Sequence, residues 1–173
     1  MSRFEELAKQ YSELRSRETK YLESSIVAAK GFCAGLKEHM QAPDSWTDID
    51  PETGEEKGTY QYIYFIIVDD KGEQVQQPFF NSKNELLTKI VVTIEPAGQE
   101  KMPKNLFLVS CNFKPMSINK CQVTIFDSDD NKDFRWDSKT KDNKAYDYLL
   151  GVIEKRLAFD PFKAKSKSDK KAG

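Results

Sequence analysis

The chain has 173 residues, of which 38% are hydrophobic and 32% are charged, and this composition is typical of one folded domain. The formal net charge of -1 and the pI near 6.0 provide no overall positive field, so we expect no specific binding to nucleic acid. The first residues lack the apolar core of a signal peptide, and no apolar run is long enough for a membrane span. We therefore expect a cytoplasmic protein with no membrane partner.

Residues 3–41 have the clearest helical periodicity in the chain, and no proline interrupts them before Pro43. Apolar side chains recur there at helical spacing, at Phe4, Leu7, Tyr11, Leu14, Tyr21, Ile26, Ala29, Phe32, Leu36 and Met40. The apolar pattern weakens over residues 16–20, so the segment predicts either one long helix or two helices with a break near Arg17. An unbroken helix would reach about 57 Å, which exceeds the width of a compact domain of this size. Its overhang would then meet a partner.

Residues 42–58 are rich in proline, aspartate and glycine and predict a loop. Residues 59–68 are aromatic and β-branched and predict a strand. That strand is apolar on both faces, which indicates that a helix or a partner subunit covers each face. A turn at residues 69–72 leads to a predicted hairpin strand over residues 73–80, and Pro78 places this strand at a sheet edge because proline donates no hydrogen bond.

Further strands are predicted downstream, over residues 88–95, 106–113, 119–127 and, as a short strand, 133–137. The second and third of these have alternating apolar residues, and both apolar sets reach the same face only when paired residue numbers add to an even value. Cys111 opposite Cys121 satisfies this condition, with a loop of about five residues around Met116. The sequence therefore predicts that Cys111 and Cys121 are cross-strand neighbours.

A last helix is predicted after Asp142 or Asn143, either of which is a suitable cap. Its apolar face consists of Tyr146, Leu149, Ile153 and Leu157. Residues 163–173 are mostly lysine, serine and alanine and predict a disordered tail. The predicted fold is therefore α+β, with a long N-terminal helix, a five- or six-stranded antiparallel sheet and a C-terminal helix in one domain over residues 1–162.

The residue types that form the commonest catalytic and metal sites are scarce. His39 is the one histidine, and its position at the end of the first helix is explained by the favourable interaction of a cation with a helix C-terminus. The cysteines Cys33, Cys111 and Cys121 show no Cys-x-x-Cys spacing, so we expect reduced thiols in the core.

One acidic segment has the alternating oxygen ligands of the start of a calcium loop, at Asp127, Asp129, Asn131 and Asp133. Lys132 occupies the glycine position of that motif, and Ser138 replaces the closing glutamate. An acidic hairpin tip explains the segment better. We predict no catalytic residue, no metal site and no cofactor.

Aromatic residues are the candidates for binding. Tyr60, Tyr62 and Tyr64 alternate along one predicted strand and so share a face, which either contacts a ligand or protein or packs beneath the first helix. Trp46 in the predicted loop and Trp136 in the last short strand are the other candidates, because a tryptophan can anchor a partner. The alternative is that each tryptophan covers an end of the sheet.

Two functions remain open on these grounds. The favoured one is a non-catalytic binding protein that contacts another protein, either a different chain or a second copy in a homodimer. The alternative is a small-molecule-binding protein or an enzyme that uses no histidine, with a pocket between the sheet and a helix.

Overall fold

The computed structural model describes residues 2–50, 52–95, 105–117, 119–128, 130–140 and 142–158. Its elements follow in the order α1 (Arg3–Met40), β1 (Ser45–Ile49), β2 (Glu56–Gln61), β3 (Ile63–Ile67), β4 (Leu86–Ile94), β5 (Asn105–Ser117), β6 (Lys120–Phe126), β7 (Asn131–Asp137) and α2 (Lys144–Leu157). The predicted α+β class, with a long first helix, an antiparallel sheet and a C-terminal helix, is confirmed. The predicted tail over residues 163–173 lies outside the described residues.

The main sheet has five strands in the order β3-β4-β5-β6-β7, and every neighbouring pair is antiparallel. Consecutive strands are therefore neighbours, as expected where short connections join antiparallel strands. β1 and β2 form a separate two-stranded hairpin between α1 and the main sheet.

Helix α1 is continuous over 38 residues, without the break considered near Arg17. Ser2 and Glu5 form a capping box at its start: the Glu5 amide donates to Ser2 Oγ, and the Ser2 amide donates to a Glu5 carboxylate oxygen. The helix ends at Gln41, which has a left-handed backbone conformation with φ 53°. Local capping thus defines both ends of the element.

The core lies between one face of the main sheet and the two helices. Phe32 of α1 is fully buried, and its ring contacts Phe113 of β5 and Tyr146 of α2 at centroid distances of 5.5 and 4.9 Å. α1 crosses β3, β4 and β5, whereas α2 crosses β5, β6 and β7. The sheet contributes alternate residues of each strand to this core, among them Ile90, Val92, Val109, Cys111, Phe113, Val123 and Ile125.

The prediction of a loop over residues 42–58 is wrong in part, because this segment contains β1 and the start of β2. Trp46 pairs with Tyr60 in this hairpin. The connection between β1 and β2 turns where Asp50 Oδ1 accepts hydrogen bonds from the amides of Glu52 and Thr53, and Gly54 there has φ 74°. Because turn-forming residues are frequent in this segment, its sequence does not indicate the two short strands.

The single strand predicted over residues 59–68 is also wrong, because the chain is interrupted at Tyr62. Tyr60 belongs to β2 of the hairpin and Tyr64 to β3 of the main sheet. Tyr62 lies at the break, where its carbonyl oxygen accepts from the Thr93 amide and its hydroxyl donates to Glu95. A buried polar side chain with its own partner therefore divides the predicted strand.

Two further predictions about strand pairing are corrected. Residues 73–80 form no strand and make only the isolated bridges Val68–Gln74 and Phe80–Leu86. Cys111 pairs with Ile125 rather than with Cys121, because β5 extends to Ser117 and moves the turn along the chain. The shift is an even number of residues, so the same side chains still point into the core.

Helix α2 begins after Asn143, in agreement with the predicted cap, although the Asn143 side chain makes no capping hydrogen bond. Tyr146, Leu149 and Ile153 are buried as predicted, whereas Leu157 at the end of the helix is exposed. The last turn of α2 therefore extends beyond the core.

Candidate interaction surface on the first helix

The first half of α1 makes an unusually exposed helical segment. All residues from 3 to 20 are exposed, and we call this segment the overhang. Four large apolar side chains lie along it, and we call them the apolar stripe: Phe4, Leu7, Tyr11 and Leu14, which are 79%, 57%, 58% and 45% exposed. The first buried residue of α1 is Ser25. The overhang therefore extends about 27 Å from the packed part of the molecule.

The apolar stripe continues the face of α1 that packs on the sheet. With steps of three or four residues it leads through Glu18 and Tyr21 to the buried positions Ser25, Ala29, Phe32 and Leu36. Residues at these spacings lie on one face of a helix. The stripe thus points in the same direction as the core-facing residues, but the sheet does not reach it.

The polar contacts of the overhang are local to the helix. Arg15 Nε donates to the Tyr11 hydroxyl at 3.1 Å, and Arg15 Nη1 donates to Glu18 at 3.4 Å. The hydrogen bond to Tyr11, and after it the pair with Glu18, raises the pKa of Arg15 above its ordinary value. These contacts flank the apolar stripe and leave its side chains exposed.

A groove lies where the overhang meets the folded part of the chain. Its volume is about 620 Å³, and we call it the notch; it is lined by Arg15, Arg17, Glu18, Thr19, Tyr21, Leu22, Phe80 and Asn84. Tyr21 forms its inner wall, because its ring packs on Phe80 at a centroid distance of 5.8 Å and its hydroxyl donates to the Asn84 carbonyl oxygen. Burial, and then the charge of Glu85, raises the pKa of Tyr21. The notch therefore has an aromatic wall beside charged side chains.

The five residues predicted as binding residues lie in different environments. Trp136 and Tyr62 are buried, and Tyr64 is half-buried in β3. Trp46 is half-buried and stacks on the exposed Tyr60 at 5.0 Å. Trp46 and Tyr60 contact each other, whereas Trp136 is buried in the core, so the structure does not bring the five residues together as one surface.

His39 and the acidic segment have structural partners. His39 Nε2 lies 2.8 Å from Asp147 Oδ1, and the imidazole ring packs on Tyr146 at 5.6 Å. Lys155 donates to Asp127 and lowers the pKa of that carboxyl group, while Asp133 accepts from the Thr124 hydroxyl. Asp129 lies outside the described residues. Within the described ranges, no group of three histidine, cysteine or acidic side chains is placed to hold a metal ion.

The three cysteines are free thiols in the core. Burial raises the pKa of Cys33 and of Cys121 to about 12, and that of Cys111 well above its ordinary value. The thiolate is the reactive form of cysteine, so these side chains are poor nucleophiles near neutral pH.

We therefore expect the native protein to resist labelling by a maleimide reagent near pH 8, while the urea-unfolded protein is labelled at all three cysteines. Mass spectrometry of intact protein measures the extent of labelling. Ser16→Cys, which places a thiol at an exposed position of the overhang, is the positive control and should react at once. Native labelling of the wild type as fast as that of Ser16→Cys would contradict this prediction.

No known family model, curated protein or solved structure matches this chain. Among the described residues, neither helix combines the length and the apolar character that crossing a membrane would need. The chemistry of the surface is therefore the guide to its function.

The apolar stripe lies within the helical periodicity of the sequence, although the predicted binding residues do not include it. The sequence predicts this periodicity and the excess length of an unbroken helix, and the structure has both. Periodicity does not distinguish Phe4 and Leu7 from Phe32 and Leu36, because all four share the same helical face. The signal that pointed to the surface was the length of the helix relative to the width of the domain.

Proposed function

We propose that this protein is a non-catalytic binding protein and that it contacts another protein through the apolar stripe. The observation that carries the proposal is the exposure of Phe4, Leu7, Tyr11 and Leu14 on one face of a helix whose residues 3–20 are all exposed. Contiguous exposed apolar residues that are rimmed by polar residues are typical of interaction sites. An amphipathic helix that presents such residues is a common recognition element.

The composition of the stripe suits a protein partner. Phe4 and Tyr11 are large side chains with few rotatable bonds, and such residues contribute strongly to protein interfaces. Each buried leucine adds about 2 kcal/mol when its surface leaves water. Arg15 and Arg17 border the stripe and supply the polar rim that surrounds the core of an interface.

The alternative function, a small-molecule site between the sheet and a helix, has less support. The space between α1 and the main sheet is filled by fully buried side chains such as Phe32, Leu36 and Phe113. The notch lies outside that space and opens to solvent at the base of the overhang. The structure thus offers the stripe and the notch as accessible surfaces, and both belong to the same helix.

We expect the double variant Leu7→Lys/Leu14→Lys to lose partner binding while its melting temperature stays within a few degrees of the wild type. Both leucines are exposed, so their replacement removes interface area without opening a cavity in the core. The measurement compares wild-type and variant protein as bait in extracts of the native host, followed by identification of co-purifying chains and thermal denaturation of each bait.

Val27→Lys is the matched control, because Val27 is an exposed apolar residue on the opposite face of the same helix. This variant should retain the partner. The proposal is wrong if the partner persists with Leu7→Lys/Leu14→Lys but is lost when Tyr60→Ala changes the β1–β2 hairpin.

A further inference from the structure

We propose that the partner on the apolar stripe is the overhang of a second copy of this chain, lying antiparallel to the first. The proposal rests on the proposed function and specifies its partner. The twofold axis passes between Ser12 and Glu13 of the two copies. In this arrangement Phe4 of each copy lies opposite Tyr21 of the partner subunit.

The spacing of the stripe is that of a two-helix coiled coil. Residues at alternating steps of three and four form its seam, namely Phe4, Leu7, Tyr11, Leu14, Glu18 and Tyr21. Such a heptad pattern keeps one face of each helix against the other over several turns. In the antiparallel arrangement the one charged member, Glu18, faces Leu7 of the partner subunit and keeps its own Arg15 as an ion-pair partner.

A parallel arrangement conflicts with the position of the sheet. From Ser25 onwards the same face of α1 is covered by the core, so the main sheet occupies the side on which a parallel second helix would continue. Two parallel copies would place both sheets between the two helices and force the overhangs apart. They would also bring Glu18 against Glu18 of the partner subunit in the seam, where like charges are destabilising. The antiparallel arrangement places the two sheets at opposite ends of the paired overhangs.

The flanking charges select the register among antiparallel pairings. With Phe4 opposite Tyr21, the side chains that flank the seam pair Gln10 with Arg17 and Ala8 with Arg15, and no like charges meet. A register one heptad shorter would place Arg3 beside Arg17 of the partner subunit. A register one heptad longer would drive the second helix into the sheet that covers Ser25.

The N-terminal end of the partner subunit's helix lies at the notch in this arrangement. In the selected register, Phe4 of the partner subunit arrives beside Tyr21, whose ring already packs on Phe80 in the wall of the notch. An additional aromatic ring there joins an existing aromatic pair and loses most of its exposed surface. The groove at the base of the overhang and the aromatic residue near its tip are therefore complementary.

Pairing of two overhangs also stabilises each helical segment. A helical segment that is exposed along its whole length is only marginally stable in water, even with a capping box at its start. Antiparallel pairing gives the same contacts to both copies, and the twofold arrangement closes after two chains instead of extending to a filament. The expected particle has a mass of about 40 kDa, twice the 19.9 kDa of one chain.

Chemical crosslinking distinguishes this arrangement from the alternatives. Gln10→Cys and an affinity-tagged Arg17→Cys are co-expressed, and the purified protein is treated with a short bismaleimide. The native cysteines are buried, so the new thiols are the reactive ones. We expect a crosslinked heterodimer of Gln10→Cys with Arg17→Cys. Co-expression of Gln10→Cys with Arg15→Cys is the matched control and should give no heterodimer, because those positions flank opposite sides of an antiparallel seam.

Sedimentation of the uncrosslinked chain measures the affinity. Leu14→Lys should weaken dimerisation at least about 100-fold, because each dimer loses two central contacts, whereas Val27→Lys should leave the dimer unchanged. Crosslinking of Gln10→Cys with Arg15→Cys would show a parallel dimer and overturn the inference. A dimer that gives neither crosslink, or a chain of 19.9 kDa at high micromolar concentration, would overturn it as well.

The outcome for the proposed function is separate. If the chain is monomeric but Leu7→Lys/Leu14→Lys releases a different protein from the bait, the stripe is a binding surface for that protein and only the inference about a second copy fails. If the chain is monomeric and the stripe variant releases nothing, both fail.

Discussion

Replacing Gly35 by alanine should destabilise the protein by about 2 kcal/mol, although alanine favours a helix by about 1 kcal/mol. A Cβ atom at this position of α1 would lie 2.1 Å from the Tyr146 hydroxyl oxygen and 2.9 Å from Cζ of the same ring. Tyr146 cannot swing away freely, because its ring packs on Phe32 and its hydroxyl accepts a 2.7 Å hydrogen bond from Trp136 Nε1. Urea denaturation followed by circular dichroism measures the change in the free energy of unfolding.

Gly151→Ala in α2 is the control for helix propensity. Apart from its chain neighbours and the adjoining helix backbone, no atom of the described residues lies within 4 Å of the Cβ that this substitution would add. We expect Gly151→Ala to raise the free energy of unfolding by up to about 1 kcal/mol. If Gly35→Ala stabilises the protein by a similar amount, the close approach of α1 to Tyr146 is wrong.

Trp136→Ala should be more damaging and should cost about 3–5 kcal/mol of unfolding free energy, the usual range for a large buried aromatic residue. The Trp136 ring packs edge-on against Phe32 at 5.9 Å and lies close to the backbone of Gly31. Its removal leaves a cavity between α1 and β7 and takes away the donor to the Tyr146 hydroxyl. Urea denaturation measures the loss.

Two other tryptophan variants make this prediction specific. Trp136→Phe keeps much of the ring volume and loses the indole donor, so its cost should fall between those of the wild type and Trp136→Ala. Trp46→Ala should cost less than Trp136→Ala, because Trp46 is half-buried and stacks on an exposed tyrosine in the hairpin. A neutral Trp136→Ala, or a larger loss for Trp46→Ala, would disagree with the observed core.

Local patterns in the sequence were sufficient for much of the fold. The apolar period of three to four residues predicted α1 and α2, and alternating apolar residues supported β5 and β6. Strands β4 and β7 were also predicted, and the predicted end of β5 was four residues short. The condition that paired residue numbers add to an even value predicted which residues of β5 and β6 face the core. It held even though Cys111 pairs with Ile125 and not with Cys121. These properties depend on neighbours along the chain, so they can be inferred from short segments.

Other features depended on contacts between distant segments. The division of the predicted tyrosine strand occurs where Tyr62 bonds to Thr93 and Glu95, and no local pattern contains these partners. The hairpin of β1 and β2 was not predicted, because its segment is rich in turn-forming residues. Its two strands are stabilised by pairing with each other, and the sequence of either strand alone does not indicate that pairing. Trp136 is in the core because its ring reaches Phe32 of α1 and Tyr146 of α2, which its polar neighbours in sequence do not indicate.

The exposure of the apolar stripe shows most clearly which properties follow from the local sequence and which depend on contacts between distant segments. The sequence by itself established that Phe4 and Leu14 have the apolar periodicity of a helix face, as Phe32 and Leu36 do, but it left open a break near Arg17 between the two pairs. Which part of that face is covered was decided by the tertiary structure, in which the five-stranded sheet spans only the second half of the 38-residue helix. Burial depends on the extent of the surface opposite each residue, and that surface is formed by strands far away along the chain.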